Sequence, residues 1–336
     1  MRPLYENNTM NRYFSKIKHY FKSKFPFLNY IYLFLTETSK DKQLIGEKRS
    51  FGQENPDKTF LIIKLNNPSL GLIAIYNCIL GYLRIADING YIAVVDLKNF
   101  KNGYIKDDEI GVINAWDYYF EQPYSYSLDE VYRSKNVIFS SGISPREATP
   151  SMINFFLNTK KRSYYFNLIK NKLRIKSDQQ RKIDYEYKSL IEGKRVVGVV
   201  SRGSDLLSCK GHSIQPDVEA LITQTKRMLI KHNCEYVFLA TEEENIVETF
   251  KKHFVDKLII NDCFRITSFD EYVPLVDISS NRENDKYLKG LEYLTTVVLL
   301  SRCDCLIGSL VGATVGALEM NQGQYESTYI YDLGVY

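Results

Sequence analysis

The chain has 336 residues, with 44 Lys and Arg against 40 Asp and Glu, and a formal net charge of +4 at pH 7. Its 44% hydrophobic and 25% charged content is that of a globular protein long enough for two cores, which excludes wholesale disorder. The charge excess is too weak for a phosphate-backbone footprint and excludes nucleic acid as a partner.

In chain order, residues 1–55 read as an N-terminal extension and linker. Over 12–27, basic residues such as Arg12, Lys16 and Lys22 alternate with aromatics such as Tyr13, Phe14 and Phe25. Two readings are open for this stretch. A peripheral membrane contact through residues 12–36 is one, and a helix packed on the body with its lysines in water is the other. The apolar run 28–35 is shorter than the ~20 residues a membrane span needs. The start is polar and lacks the apolar region and cleavage site of a secretion signal, so a cytoplasmic protein is expected. Residues 46–58, polar with Gly, Pro and Asp, read as the linker.

An N-terminal α/β lobe is expected over 56–149. A strand over 59–65, a turn over 66–71, a helix over 72–85 and a strand over 91–95 ending at Asp96 make a βαβ unit with a parallel sheet. The remainder to about residue 140 reads as loop-rich and aromatic. Residues 150–192 are helical and basic, a connector. Over 193–336 the alternation is cleaner: strands at 196–200, 236–240, 258–260, 305–307 and 329–331. Helices are expected over 217–230, after 241–243, over 288–301 and over 313–320, the pattern of a Rossmann-like lobe. Two such lobes place a cleft between them, a common ligand position.

The most informative stretch is Val196-Val-Gly-Val-Val200, which runs into Ser201-Arg-Gly-Ser-Asp205. A β-branched apolar run reads as a buried parallel strand, and in open α/β sheets ligands bind beyond such carboxyl ends. Arg202 is suited to hold phosphate in a fixed bidentate geometry, and Asp205 to accept a proton or hydroxyl. Ser201 and Gly203 complete the turn. Two more strand ends fall on the same edge, Thr241-Glu242 and Gly308-Ser-Leu-Val-Gly-Ala-Thr314. The latter opens a helix, so Gly312, Ala313 and Thr314 offer backbone amides to an anion; a glycine kept for close packing is the other reading. There is no GxxxxGK[ST] loop. Thr241 and Glu242 read either as nucleotide contacts or as a helix cap with acids in the first turn. His212, on the loop after Asp205, stands beside this expected phosphate site, whereas His19, His232 and His253 read as surface residues. In the first lobe Gly71 lets the backbone approach a ligand or is a plain turn glycine. Trp116 stacks on a sugar or packs a core. The six cysteines at 78, 209, 234, 263, 303 and 305 include no CxxC pair, so reduced thiols and no metal site are expected.

These residues resemble the GDP-fucose-dependent fucosyltransferase superfamily of GT-B fold, which includes α-1,6-fucosyltransferases and protein O-fucosyltransferases. The chain is similar in particular to fucosyltransferase-like proteins of bacterial surface-polysaccharide clusters. The likeness runs from about residue 60 to the C-terminus. It is carried by Gly90–Asp96, Asn114-Ala-Trp-Asp-Tyr-Tyr-Phe-Glu-Gln-Pro123, the 201–205 turn, Lys210-Gly-His-Ser-Ile-Gln-Pro216, Phe238-Leu-Ala-Thr-Glu242 and the segment 325–336.

The resemblance implies that Arg202 binds the donor diphosphate, that Glu242 contacts the nucleotide and that Gly312 to Thr314 lie near the phosphates. Asp205 matches the terminal acid of a His-x-Arg-x-x-Asp turn and is the candidate base or a brace for Arg202. Val200 stands where many members carry histidine, so that contact is not expected here. The reaction implied is inverting transfer from a GDP-sugar to a glycan or lipid-linked glycan acceptor, with no cofactor and no bound metal. The competing reading is a non-catalytic nucleotide-sugar-binding or assembly protein of the same pathway. A dehydrogenase is disfavoured because no GxGxxG follows the first strand of either lobe.

Overall fold

The computed structural model describes residues 43–143, 145, 159–202, 213–267 and 278–334. The basic aromatic segment 12–36 lies outside the described residues.

Two parallel sheets organise the chain. In the first, β1 (Phe60–Ile63) runs between β2 (Ile92–Val95) and β3 (Val137–Phe139). The crossover from β1 to β2 is α1 (Leu72–Asn89), apolar nearly all round because it is buried against both halves of the molecule. It ends at Gly90, whose φ of 68° is the left-handed turn that glycine adopts without a Cβ penalty. The strand β3 falls in a stretch expected to be loop. Three apolar residues between Asn136 and Ser140 are too few to show an alternation, and the strand forms because β1 offers a buried edge beside it.

Residues 46–58 are no free linker. Ile45 and Arg49 bridge antiparallel to Ser140 and Val137, with the Arg49 amide 2.7 Å from the Val137 carbonyl. Their polar composition reflects a solvent-facing cover on the edge of β3. A short α2 (Leu128–Val131) precedes β3. The connector then supplies α3 (Thr159–Lys172) and α4 (Ser177–Leu190).

The second sheet has five strands in the order β6-β5-β4-β7-β8, all parallel. They are β4 (Val196–Val200), β5 (Tyr236–Ala240), β6 (Leu258–Ile259), β7 (Cys305–Ser309) and β8 (Ser327–Tyr331). Between them lie α5 (Val218–Lys231), α6 (Glu244–Phe254), α7 (Asp285–Ser301) and α8 (Gly312–Asn321). β4 shows the two-residue period of a strand buried on both faces. Val197 and Val199 join Leu221, Val247 and Phe250 on one side, while Val196 and Val200 join Leu294 and Val297 on the other. A Cβ on Gly198 would lie 3.1 Å from Leu300 Cδ2 and 3.2 Å from Cys303 Sγ, so this glycine sets how closely α7 approaches the sheet.

One apolar core runs through both halves, from Leu61 and Ile63 of β1 through α1 to α7, α8 and β4. Each fully buried Leu or Ile in it contributes about 1.5–3 kcal/mol. Small residues tighten the seam. A Cβ on Gly316 of α8 would lie 3.1 Å from Ile73 Cδ1, and the hydroxyl of the buried Tyr119 sits directly over Gly290 of α7, donating to the Tyr287 carbonyl at 3.0 Å. At the same seam Glu319 is fully buried, and neither of its oxygens nor the Tyr76 hydroxyl has a hydrogen-bond partner among the described residues. Burial pushes the Glu319 carboxyl up to about 8, against the opposing Asn77 amide.

Candidate functional site

The carboxyl ends of β5, β4 and β7 are neighbours in the sheet and carry the three candidate turns to one edge, as the sequence pattern implies. The Ser201 amide extends the β4 ladder to the Ala240 carbonyl at 3.0 Å. Arg202 follows, and its Nη1 donates to Glu242 Oε1 in an ion pair across the two strand ends. Side-chain exposures of 19% and 27% leave both within reach of a ligand. Gly203, Asp205 and His212 lie outside the described residues, as does Cys209. The chain resumes at Ser213, whose hydroxyl donates to the Leu310 carbonyl at 3.0 Å, and Ser309 donates to the side chain of Gln215. Ser213 and Gln215 therefore lie against the end of β7.

The turn after β5 is braced by the turn after β6. The Ile266 amide donates to the Glu242 carbonyl at 2.9 Å and the Glu244 amide to the Ile266 carbonyl at 3.0 Å. That pairing brings Arg265 and Cys263 alongside Glu242. Arg265 donates from Nη2 to the Asn261 carbonyl at 2.9 Å, while its buried Nε has no partner among the described residues. Burial pushes the Cys263 thiol up to about 12, Arg265 opposing and Glu242 reinforcing the rise. Thr241 is buried and its hydroxyl accepts from the Glu243 amide at 3.3 Å. Helix α6 begins after Glu243, so Thr241 shapes the turn and does not occupy the N-cap itself.

At the third turn, α8 begins at Gly312 after Val311, with no side chain capping its first amides. Packing and anion binding are compatible here. A Cβ on Gly312 would lie 3.1 Å from the Tyr293 hydroxyl, and one on Gly308 would lie 2.5 Å from Thr314 Oγ1. Ala313 and Thr314 are buried, and Thr314 Oγ1 has no partner among the described residues. The first turn of α8 thus combines uncapped amides with a desolvated hydroxyl, a local field suited to negative charge.

The first half contributes Gly71, the N-cap of α1, with open space where a Cβ would stand. Tyr104, in the same half, is buried edge-on to Tyr119, 5.8 Å between ring centroids. Burial raises this phenol strongly and Tyr293 adds to the rise, while the Leu72 backbone and Arg202 oppose it.

Trp116 does not serve as a sugar platform. It is fully buried, stacked on Phe120 at 4.4 Å between ring centroids, with its indole N–H donating to the Glu121 carbonyl at 3.0 Å. The surrounding motif is scaffolding for β2. The Asn114 side chain bonds to the Leu97 amide and the Val95 carbonyl, and the Gln122 amide reaches both the Val95 amide and its carbonyl, all at 2.9–3.1 Å.

Tyr293, whose hydroxyl lies by Gly312, and Arg265, brought beside Glu242, are site residues that sequence reasoning missed. Arg265 stands six residues past the end of β6, too far along the loop to read as a strand-end arginine. Tyr293 lies on a helix that reads as core.

The five free cysteines among the described residues form no disulfide. Among the described residues no group of three or more His, Cys, Asp or Glu is placed to hold a metal ion.

A scan against protein families and a search of curated proteins give no match to this chain. Solved structures do match. POFUT1 in complex with GDP aligns at a TM-score of 0.47 and 11% identity, over 82% of this chain and 99% of that one. A variant of Arabidopsis thaliana FUT1 in complex with GDP aligns at 0.47 and 10%, over 89% and 74%. Fucosyltransferase NodZ from Bradyrhizobium aligns at a TM-score of 0.50 and 15% identity, over 82% of this chain and 96% of NodZ. With its two parallel sheets and connecting helices, the chain shares its overall fold with NodZ, the GT-B class expected from the sequence.

Proposed function

We propose that this chain is a glycosyltransferase that moves a sugar, fucose first among the candidates, from a GDP-sugar to a glycan or lipid-linked glycan acceptor. The observation that carries the reading is the juxtaposition of Arg202, Glu242 and the uncapped start of α8 on one sheet edge. Its fold is shared with a fucosyltransferase, which supports the same reading.

In this reading Arg202 and the amides of Gly312, Ala313 and Thr314 take up the charge of the departing nucleoside diphosphate. Fixed donors of this kind do what a divalent ion does elsewhere, so transfer proceeds without a metal. An acceptor hydroxyl in line with the anomeric carbon gives inversion, with Asp205 as base or as brace for Arg202. The setting is synthesis of a bacterial surface polysaccharide at the cytoplasmic face of the membrane, with residues 12–36 as a peripheral contact.

The test is thermal stabilisation by GDP-, UDP- and dTDP-sugars with and without EDTA, followed by transfer assays. Stabilisation by GDP-fucose that EDTA leaves unchanged, with turnover, supports the reading; preference for another nucleotide overturns the donor. Val200, in place of histidine, favours a second reading, a nucleotide-sugar binder without turnover. GDP binding with neither hydrolysis nor transfer would establish that one instead.

A further inference from the structure

A cavity of about 650 Å³ opens at the other end of the second sheet from Arg202. Its wall includes Asp304, which leads into β7, and Gln322, which follows α8, whereas Ser309 and Gly312 mark the opposite ends of those elements. The five residues of β7 separate the two regions by roughly 15 Å. The cavity has the size of a small-molecule site, ~300–1,000 Å³.

Its charge is one-sided. Lys170 of α3, Arg174 before α4 and Arg302 after α7 line it, and Asp304 is the single acid among the described lining residues. Both Asp304 oxygens are already committed, Oδ1 to Arg195 Nη1 at 2.5 Å and Oδ2 to the Val196 amide at 2.7 Å. Arg174 is held through Nε by Glu121 at 2.7 Å and Arg302 through Nη2 by Asp184 at 2.6 Å; neither carboxylate lines the cavity. The Arg302 guanidinium also lies over the Tyr187 ring, 4.8 Å from its centroid. A guanidinium has five N–H donors in a rigid fork, so one fixed edge leaves others for a ligand. The amides of Gln180, Gln322 and Gln324 add further donors and acceptors, and Tyr76, whose buried hydroxyl has no partner among the described residues, forms part of the wall.

We propose that this cavity is a second ligand site, separate from the Arg202 edge, for a small anionic sugar: a hydroxylated ring carrying a phosphate or carboxylate. The cations take the anion and the amides take the hydroxyls. An apolar ligand would strip water from these groups without replacing its hydrogen bonds, and a metal cation would meet like charge.

The test is calorimetry with glucose 1-phosphate, glucuronate and glucose, on protein saturated with GDP. Saturable binding of glucose 1-phosphate or glucuronate, but not of glucose, is expected, and which of the two binds identifies the anion. Lys170→Glu, on the exposed side of α3, should weaken binding by about tenfold, the scale of one lost charge-assisted contact. Arg202→Ala should leave it unchanged. Absence of saturation by either anionic sugar, equal binding of glucose, or binding lost in Arg202→Ala and kept in Lys170→Glu would each overturn the site.

Discussion

Arg202 and Glu242 stand 40 residues apart in sequence and form an ion pair across the carboxyl ends of adjacent strands. The pair holds the guanidinium at the edge where the first turn of α8 also opens. Arg202→Ala should lower transfer by about 10²–10³-fold, the cost of losing one fixed donor to a developing anion. Its melting temperature should stay near that of the parent, because both side chains reach solvent. Arg202→Lys should recover little, since a point charge does not reproduce a planar fork. Steady-state transfer alongside a thermal melt checks both statements.

Glu319 makes a prediction about alkaline pH. Its folded carboxyl is pushed up to about 8 from an ordinary 4.5. The stability tied to its neutral form is therefore complete below 4.5 and is lost as pH rises through 8. Glu319→Gln should be more stable than the parent at pH 8 by roughly 4 kcal/mol at most, and by little at pH 4. Denaturant melts of both proteins at pH 4, 6 and 8 read the widening gap; a constant gap would show that the carboxyl stays charged in the fold.

Asp285 acts in the opposite direction. Burial alone would raise its carboxyl, but hydrogen bonds from Ser280 and the Lys289 ammonium outweigh it and hold it down to about 2. Its contribution is present above the unfolded value near 3.8 and is lost as pH falls through 2. Asp285→Asn should cost about 2 kcal/mol at neutral pH, and the difference from the parent should shrink to a few tenths of a kcal/mol at about pH 2. Acid titration of the two proteins in moderate urea makes the comparison.

Trp116 separates packing from recognition. Trp116→Phe should leave nucleotide binding and transfer near parental levels, because the ring meets only Phe120 and the protein interior. Trp116→Ala should cost about 3–5 kcal/mol through the cavity it leaves. Loss of acceptor use in a stably folded Trp116→Phe protein would return the residue to the site.

The second sheet was legible because β4 and β5 are continuous apolar runs of five residues, each ending at a polar turn. Parallel strands buried on both faces leave little freedom in reading them, and their adjacency followed from the alternation with helices. The small sheet was legible only in part. β1 and β2 announce themselves, while the three residues of β3 borrow their conformation from a neighbour 70 and more positions away. The same limit applies to the site. Arg202 and Glu242 sit at strand ends and were found there; Tyr293 reaches the edge through tertiary packing that no local pattern encodes. Trp116 misled because an aromatic in an irregular polar stretch looks the same whether it faces a sugar or a core.

The contact of Tyr119 with Gly290 has a mechanical consequence. Glycine leaves no side chain to slide past, and the phenol is anchored to the Tyr287 carbonyl, so Tyr119 of the first half is locked onto α7 at this point. A methyl at position 290 would stand 2.2 Å from the Tyr119 oxygen, so the phenol would have to leave its place and the seam would loosen there without any change to a residue at the sheet edge.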